Sequence, residues 1–153
     1  DLVMAAREVR KNRRQVTVEF NVAKLPHGEK DFVVQGHDLR LGQVVTNLIE
    51  NARSFVPEEG GRVVVTLSRT ARHAIVTVED NGPGIRAERI DRIFERFYTD
   101  RPANEAFGQN SGLGLSISRQ IMEAHGGTLD AENLVGTKPG DIRGARFIMT
   151  LPA

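Results

Sequence analysis

The chain contains no cysteine and no tryptophan, and it has a single tyrosine. Without thiols there are no disulfides, no thiolate nucleophile and no cysteine metal site, and a reducing, cytoplasmic setting fits. Neither sign of charge dominates: 21 Lys and Arg stand against 20 Asp and Glu, a formal +1. No basic run is long enough to suggest a polyanion surface, so nucleic acid is not an expected partner. No apolar run approaches the roughly 20 residues that span a bilayer, and no stretch reads as a signal peptide. The sequence opens on Asp1 rather than Met, which suggests a piece of a longer protein. Any membrane spans are then expected elsewhere, with no direct membrane contact here. At 153 residues, Asp1 to Ala153, the expectation is one domain with a two-layer core.

The most informative stretch is Leu41 to Phe55. Leu41, Val44, Val45, Leu48, Ala52 and Phe55 follow the three-and-four spacing of one buried helix face. Gln43, Asn47 and Asn51 recur every fourth residue and form a separate polar stripe. Asn is a modest helix former, but its amide oxygen is a hard neutral ligand of the kind Mg2+ accepts beside phosphates and water.

Around this helix the pattern predicts a helix from Asp1 to about Gln15 and a strand from Val16 to Asn21. Phe32 to Val34 reads as a short strand. Arg62 to Thr70 and His73 to Glu79 alternate as an antiparallel hairpin. Ile85 to Tyr98 is helical in pattern, and Thr99 to Ser111 is a polar loop, long for a compact domain and of the kind that forms lids. A further helix over Gly112 to Ala124 ends in His125-Gly126-Gly127, a glycine cap. Thr128 to Asn133 and Ala145 to Leu151 close the chain as strands. Helices and strands in this order predict a two-layer α/β sandwich with a mixed sheet, not an alternating parallel one.

Two further motifs carry chemistry. Asp80-Asn81-Gly82-Pro83-Gly84-Ile85 follows directly on a strand. Glycines around a proline let the backbone come close to a flat ligand, and a carboxylate there can accept a hydrogen bond from an exocyclic amine such as adenine N6. Taken alone it is also an ordinary turn. Ser111-Gly112-Leu113-Gly114-Leu115 opens the next long helix, where free N–H groups can meet phosphate oxygens.

The series Asn47-x-x-x-Asn51, Asp80-x-Gly82-x-Gly84 and Gly112-x-Gly114, with Phe94-Glu95-Arg96-Phe97-Tyr98 between the last two, resembles the ATP-binding domain of sensor histidine kinases. That domain belongs to a wider group with type II topoisomerase ATPase subunits, a heat-shock chaperone and mismatch-repair ATPases. The resemblance covers nearly the whole chain. It implies a Bergerat-type fold: a mixed, mostly antiparallel sheet packed on three helices, with an ATP lid at about 98–111. It also implies Mg-ATP as ligand. By this resemblance Asn51 is the Mg2+ ligand, Asn47 its helper near the phosphates, and Asp80 the adenine-reading carboxylate. Gly82, Gly84 and Ile85 shape the pocket, and Phe94 and Phe97 form an aromatic box beside the lid. Ser111, Gly112, Leu113, Gly114 and Leu115 make the phosphate cradle.

The sequence departs from the family pattern at three places. Asn110 stands where Gly is common, and Thr99 stands where Arg often reaches the γ-phosphate. That leaves Arg96 and Arg101 as candidates for the cation. Asn47 occupies the position of the catalytic Glu of the ATPase branch, and an amide cannot act as general base, which favours transfer over hydrolysis. Glu50 reads as structural. Of His27, His37, His73 and His125, only His37-Asp38-Leu39-Arg40 approaches a phosphoacceptor motif, and it runs straight into the Asn helix as a capping sequence. The acceptor is thus expected on a separate dimerisation hairpin absent from this chain, with a response regulator downstream and the cytoplasmic part of an inner-membrane sensor as setting. A self-contained ATPase, a catalytically silent nucleotide-binding module and, more weakly, a serine-directed kinase of the anti-sigma type are the alternatives.

Overall fold

Among the described residues, alternating apolar side chains build one five-stranded sheet, and the apolar stripes of two helices cover one of its faces. A computed structural model describes residues 16–24, 38–95 and 114–152. Its strands are β1 (Thr17–Lys24), β2 (Arg62–Arg69), β3 (His73–Asp80), β4 (Thr128–Val135) and β5 (Ile142–Pro152), in spatial order β1-β2-β3-β5-β4. β1 pairs with β2 in parallel, and every other pairing is antiparallel. The mixed, mostly antiparallel sheet expected from the sequence is present. The helices are α1 (Asp38–Phe55) and α2 (Gly114–Ala124). The helix expected over Asp1 to Gln15, the strand Phe32 to Val34 and the loop Thr99 to Ser111 lie outside the described residues.

Period-two burial decides which face of the sheet is inside. Val63, Val65 and Leu67 of β2, Ala74, Val76 and Val78 of β3, and Ala145, Phe147, Met149 and Leu151 of β5 all point to the helices and are buried. From α1, Leu41, Val44, Val45, Leu48, Ile49 and Ala52 meet them. Ile49 joins the expected stripe, whereas Phe55, at the helix end, is only half-buried. Each fully buried aliphatic side chain contributes roughly 1.5–3 kcal/mol. The other face carries ion pairs: Arg62 with Glu19 at 2.7 Å, and Arg146 with both Glu132 at 2.7 Å and Glu79 at 3.0 Å. Exposed pairs of this kind are worth about 0–1 kcal/mol. The apolar layer therefore holds the sandwich together, and the pairs only align the strands.

α2 stops where the glycine cap was expected. Gly126 N–H donates to the Glu123 carbonyl at 3.0 Å and Gly127 N–H to the Met122 carbonyl at 2.8 Å, the paired bonds of a Schellman motif. The segment after Ile85 differs from expectation. In place of a continuous helix the chain makes one 3-10 turn, Ala87–Arg89, followed by further turns. The bonds Arg89 N–H to Arg86 C=O, Arg92 to Arg89 and Glu95 to Arg92 each span three residues, not four. Arg86 offers no capping side chain to the first free N–H groups, so an α-helix has no start there. The apolar spacing still marks the side that meets the core at Ile93 and Phe94, whereas Ile90 is only half-buried. Ile93 is buried, and Phe94 packs edge-on against Phe147 with ring centroids 6.3 Å apart. Among the described residues no helix is long and apolar enough to cross a membrane.

Candidate functional site

Asp80 ends β3 on the inward-facing register of that strand, so its carboxylate lies inside the fold, 5% exposed. Its Oδ1 accepts the Gly82 N–H at 2.9 Å and the Ala145 N–H at 3.3 Å. Among the described residues Oδ2 receives no hydrogen bond. The carboxylate is thus anchored by one oxygen and presents the other. Burial pushes its pKa above the ordinary aspartate value, and the two backbone donors oppose that shift in part.

The surrounding backbone is arranged to make this contact. Gly144 of β5 has φ +154, and a Cβ there would collide with the Asp80 carbonyl oxygen. Only glycine lets β5 come close enough for the next residue, Ala145, to donate to the carboxylate. Asn81 points the other way. Its Oδ1 accepts the Arg62 N–H at 2.8 Å and its Nδ2 donates to the Gly60 carbonyl at 2.9 Å, tying the turn to the start of β2. Gly82 packs against the end of α1: a Cβ on it would lie 2.9 Å from the Phe55 carbonyl oxygen.

α1 links the motifs. Its last residues abut Gly82, and one turn earlier Asn51 is half-buried. A further turn back, the Asn47 Nδ2 donates to the Ser118 hydroxyl at 3.2 Å and, more weakly, to the Gly114 carbonyl at 3.5 Å. The Asn47 amide nitrogen therefore faces α2. Glu50 accepts from Arg53 at 3.0 Å and Arg53 is buried, in keeping with a structural role for Glu50. α1 thus meets the Asp80 turn through the Phe55 carbonyl and α2 through the Asn47 amide.

Of the residues singled out by sequence, Asn47 meets Gly114, Gly82 lies against Asp80 and the end of α1, and Gly84 and Ile85 lie against β4 and β5. Leu115 is half-buried and packs on the hydrophobic core. Phe94 lies between Phe147 and the Arg119 guanidinium, 4.5 Å from its ring. Arg96, Phe97, Arg101, Ser111, Gly112 and Leu113 lie outside the described residues. Three long-range contacts complete the arrangement. Ser118 is fully buried against Asn47, the Ala145 N–H reaches Asp80, and the Asn133 side chain bonds the backbone of Ile85. Each contact spans at least 48 residues, and no local spacing announces it.

The family profile described as histidine kinase-, DNA gyrase B- and HSP90-like ATPase matches residues 36–153. The chain belongs to this family. Within it the relatives are sensor kinases. The sensor protein ChvG of Rhizobium meliloti (strain 1021) is 63% identical over 153 residues, covering all of this chain and 26% of that protein. Among solved structures, the mycobacterial sensor histidine kinase MprB superposes with a TM-score of 0.77 at 30% identity, covering 99% of this chain and 92% of that one. The catalytic domain of the histidine kinase ThkA gives 0.74 at 29%, covering 99% and 93%. This is therefore an ATP-binding catalytic domain of the sensor histidine kinase type, with the fold of that family. It spans about a quarter of the length of the ChvG relative.

A buried carboxylate with a raised pKa has a definite sign in stability. Below the unfolded-state value, about 4, Asp80 is neutral in both states; as pH rises through the higher folded value its ionisation increasingly costs the fold. Asn at this position keeps an oxygen for both backbone donors and removes the charge. Asp80→Asn is expected to raise the urea midpoint of the nucleotide-free domain at neutral pH, with the gain vanishing as pH falls below about 4. A wild type more stable than Asp80→Asn at neutral pH contradicts this.

Proposed function

We propose that this domain binds Mg-ATP in the pocket bounded by Asp80, the turn after it and the polar edge of α1. It then donates the γ-phosphate to a histidine on a separate helical hairpin of the parent kinase, for onward transfer to a response regulator. The observation that carries the reading is the Asp80 carboxylate. It is buried, pinned through one oxygen by two backbone N–H groups, and has the other oxygen available to a ligand donor. An exocyclic amine is the complementary group, and adenine offers one. Charged hydrogen bonds in such surroundings are worth about 1.5–3 kcal/mol.

The remaining roles follow the chemistry of each residue. Asn51 is the protein ligand for Mg2+, which would neutralise phosphate charge. Asn47, its nitrogen directed at Ser118 and Gly114, leaves an amide oxygen for water or phosphate-bound metal. It cannot take a proton, so water is not activated and the domain works by positioning and charge neutralisation. Ile85, Gly82 and Gly84 shape the base pocket. Ser111, Gly112, Leu113, Gly114 and Leu115 cradle the phosphates, Phe97 belongs with Phe94 to the aromatic box that positions the lid, and Arg96 or Arg101 is the γ-phosphate cation. In this reading residues 1–153 are one domain with a lid at about 98–111. The parent is a membrane sensor with this part in the cytoplasm, and nucleic acid and membrane do not contact it.

Two measurements test the proposal. Titration calorimetry with a non-hydrolysable ATP analogue should show Asp80→Asn weakening binding about ten- to a hundredfold with or without Mg2+. Asn51→Ala should lose mainly the Mg2+-dependent part, and unchanged binding by both variants overturns the assignment. Separately, adding in trans a dimerisation hairpin bearing the acceptor histidine should yield phosphohistidine from labelled ATP. Steady ATP hydrolysis by this chain alone, with no transfer to the hairpin, would favour the ATPase alternative.

A further inference from the structure

Asn133, on β4, has no counterpart among the residues that the sequence motifs single out, yet it makes the tightest side-chain contact to the turn after Asp80. Its Oδ1 accepts the Ile85 N–H at 2.6 Å and its Nδ2 donates to the Ile85 carbonyl at 2.6 Å. One side-chain amide thus pairs both backbone groups of a single residue, as a neighbouring strand would. Gly84 immediately precedes this bridge with φ +81, and a Cβ on it would lie 2.9 Å from Asn133 Oδ1 and 3.2 Å from the Gly144 carbonyl, and against the Ile142 side chain. The turn is therefore seated on β4 and β5 at its Gly84-Ile85 end, while Gly82 holds its other end to Asp80 and α1.

We propose that Asn133 is a positioning residue for the base pocket: its amide clamps Ile85 so that the turn keeps one shape opposite the free oxygen of Asp80. The proposal rests on the ATP-binding reading and adds a residue to it. Asn133 does not touch the nucleotide; it acts by holding the backbone that does. Without the amide, the Ile85 N–H and C=O have only water to pair with, and a turn built on two glycines has many other conformations to sample. Binding then has to order the turn, and affinity falls by that ordering cost. The charge-bearing side of the pocket, at α1 and the start of α2, does not depend on this clamp.

The test uses Asn133→Ala and Asn133→Asp in the full chain. Calorimetry with a non-hydrolysable ATP analogue should show Asn133→Ala weakened on the order of tenfold, equally with and without Mg2+. The ratio of the two affinities should stay at its wild-type value. Asn133→Asp keeps an acceptor for the Ile85 N–H but sets a carboxylate oxygen against the Ile85 carbonyl, so at neutral pH it should bind no better than Asn133→Ala. Amide exchange at Ile85 in the nucleotide-free protein should speed up in both variants while β3 and β5 stay protected. Wild-type affinity in Asn133→Ala, or a loss confined to the Mg2+-dependent part, overturns the proposal. Should the wild type itself take up no nucleotide, the ATP reading falls, and the exchange data still decide the clamp: unchanged Ile85 exchange in Asn133→Ala refutes it.

Discussion

The structure turns on the cost of placing a carboxylate inside a protein. An isolated buried carboxylate is strongly unfavourable, and it persists only where hydrogen-bond donors replace lost water. Asp80 receives two such donors, both on one oxygen and both from backbone. That single constraint reaches far along the chain. It requires Gly144, because β5 must touch the end of β3 for Ala145 to donate, and it requires the chain to turn back at Gly82. The compensation is incomplete, as the raised pKa of Asp80 reflects. In the proposed reading, the adenine amine is the donor that completes its coordination.

α1 divides its work between two faces. The apolar face supplies a large share of the buried core, and the polar edge sets Asn47 and Asn51 between the Asp80 turn and α2. Asn47 shows how the two roles are joined, since its nitrogen bonds a hydroxyl that is itself fully buried in α2. The cross-strand ion pairs of Arg62 with Glu19 and of Arg146 with Glu79 and Glu132 lie on the far side of the sheet, where they offer little stability. Fold and site thus share α1 while drawing on different chemistry.

Much of this was legible in the sequence because it is local. Leu41 to Phe55 declares its helix by spacing, the β2–β3 hairpin declares itself by alternation, and Gly126 and Gly127 mark the end of α2. The three polar motifs identified the family, and the family match agrees. What failed was the identity of the ladder after Ile85: apolar residues at 93 and 94 reach the core under either a three- or a four-residue hydrogen-bond period. Local spacing also could not reveal Asn133, Ser118 or the bond from the Ala145 N–H to Asp80. Asn133 sits in a strand as an ordinary half-buried polar residue, and its partner is 48 positions away. Such contacts exist only once the sheet order β3-β5-β4 has brought the strands together.

The central claim is that the unbonded oxygen of Asp80 receives an amine from the base. The most direct measurement compares ATP with inosine triphosphate, which differs at the purine by a keto oxygen where adenine carries its amine, for binding to the wild-type domain by calorimetry. The account predicts ATP tighter by about ten- to a hundredfold, since the keto oxygen brings no N–H for the carboxylate to accept. Equal affinity for the two nucleotides would contradict it.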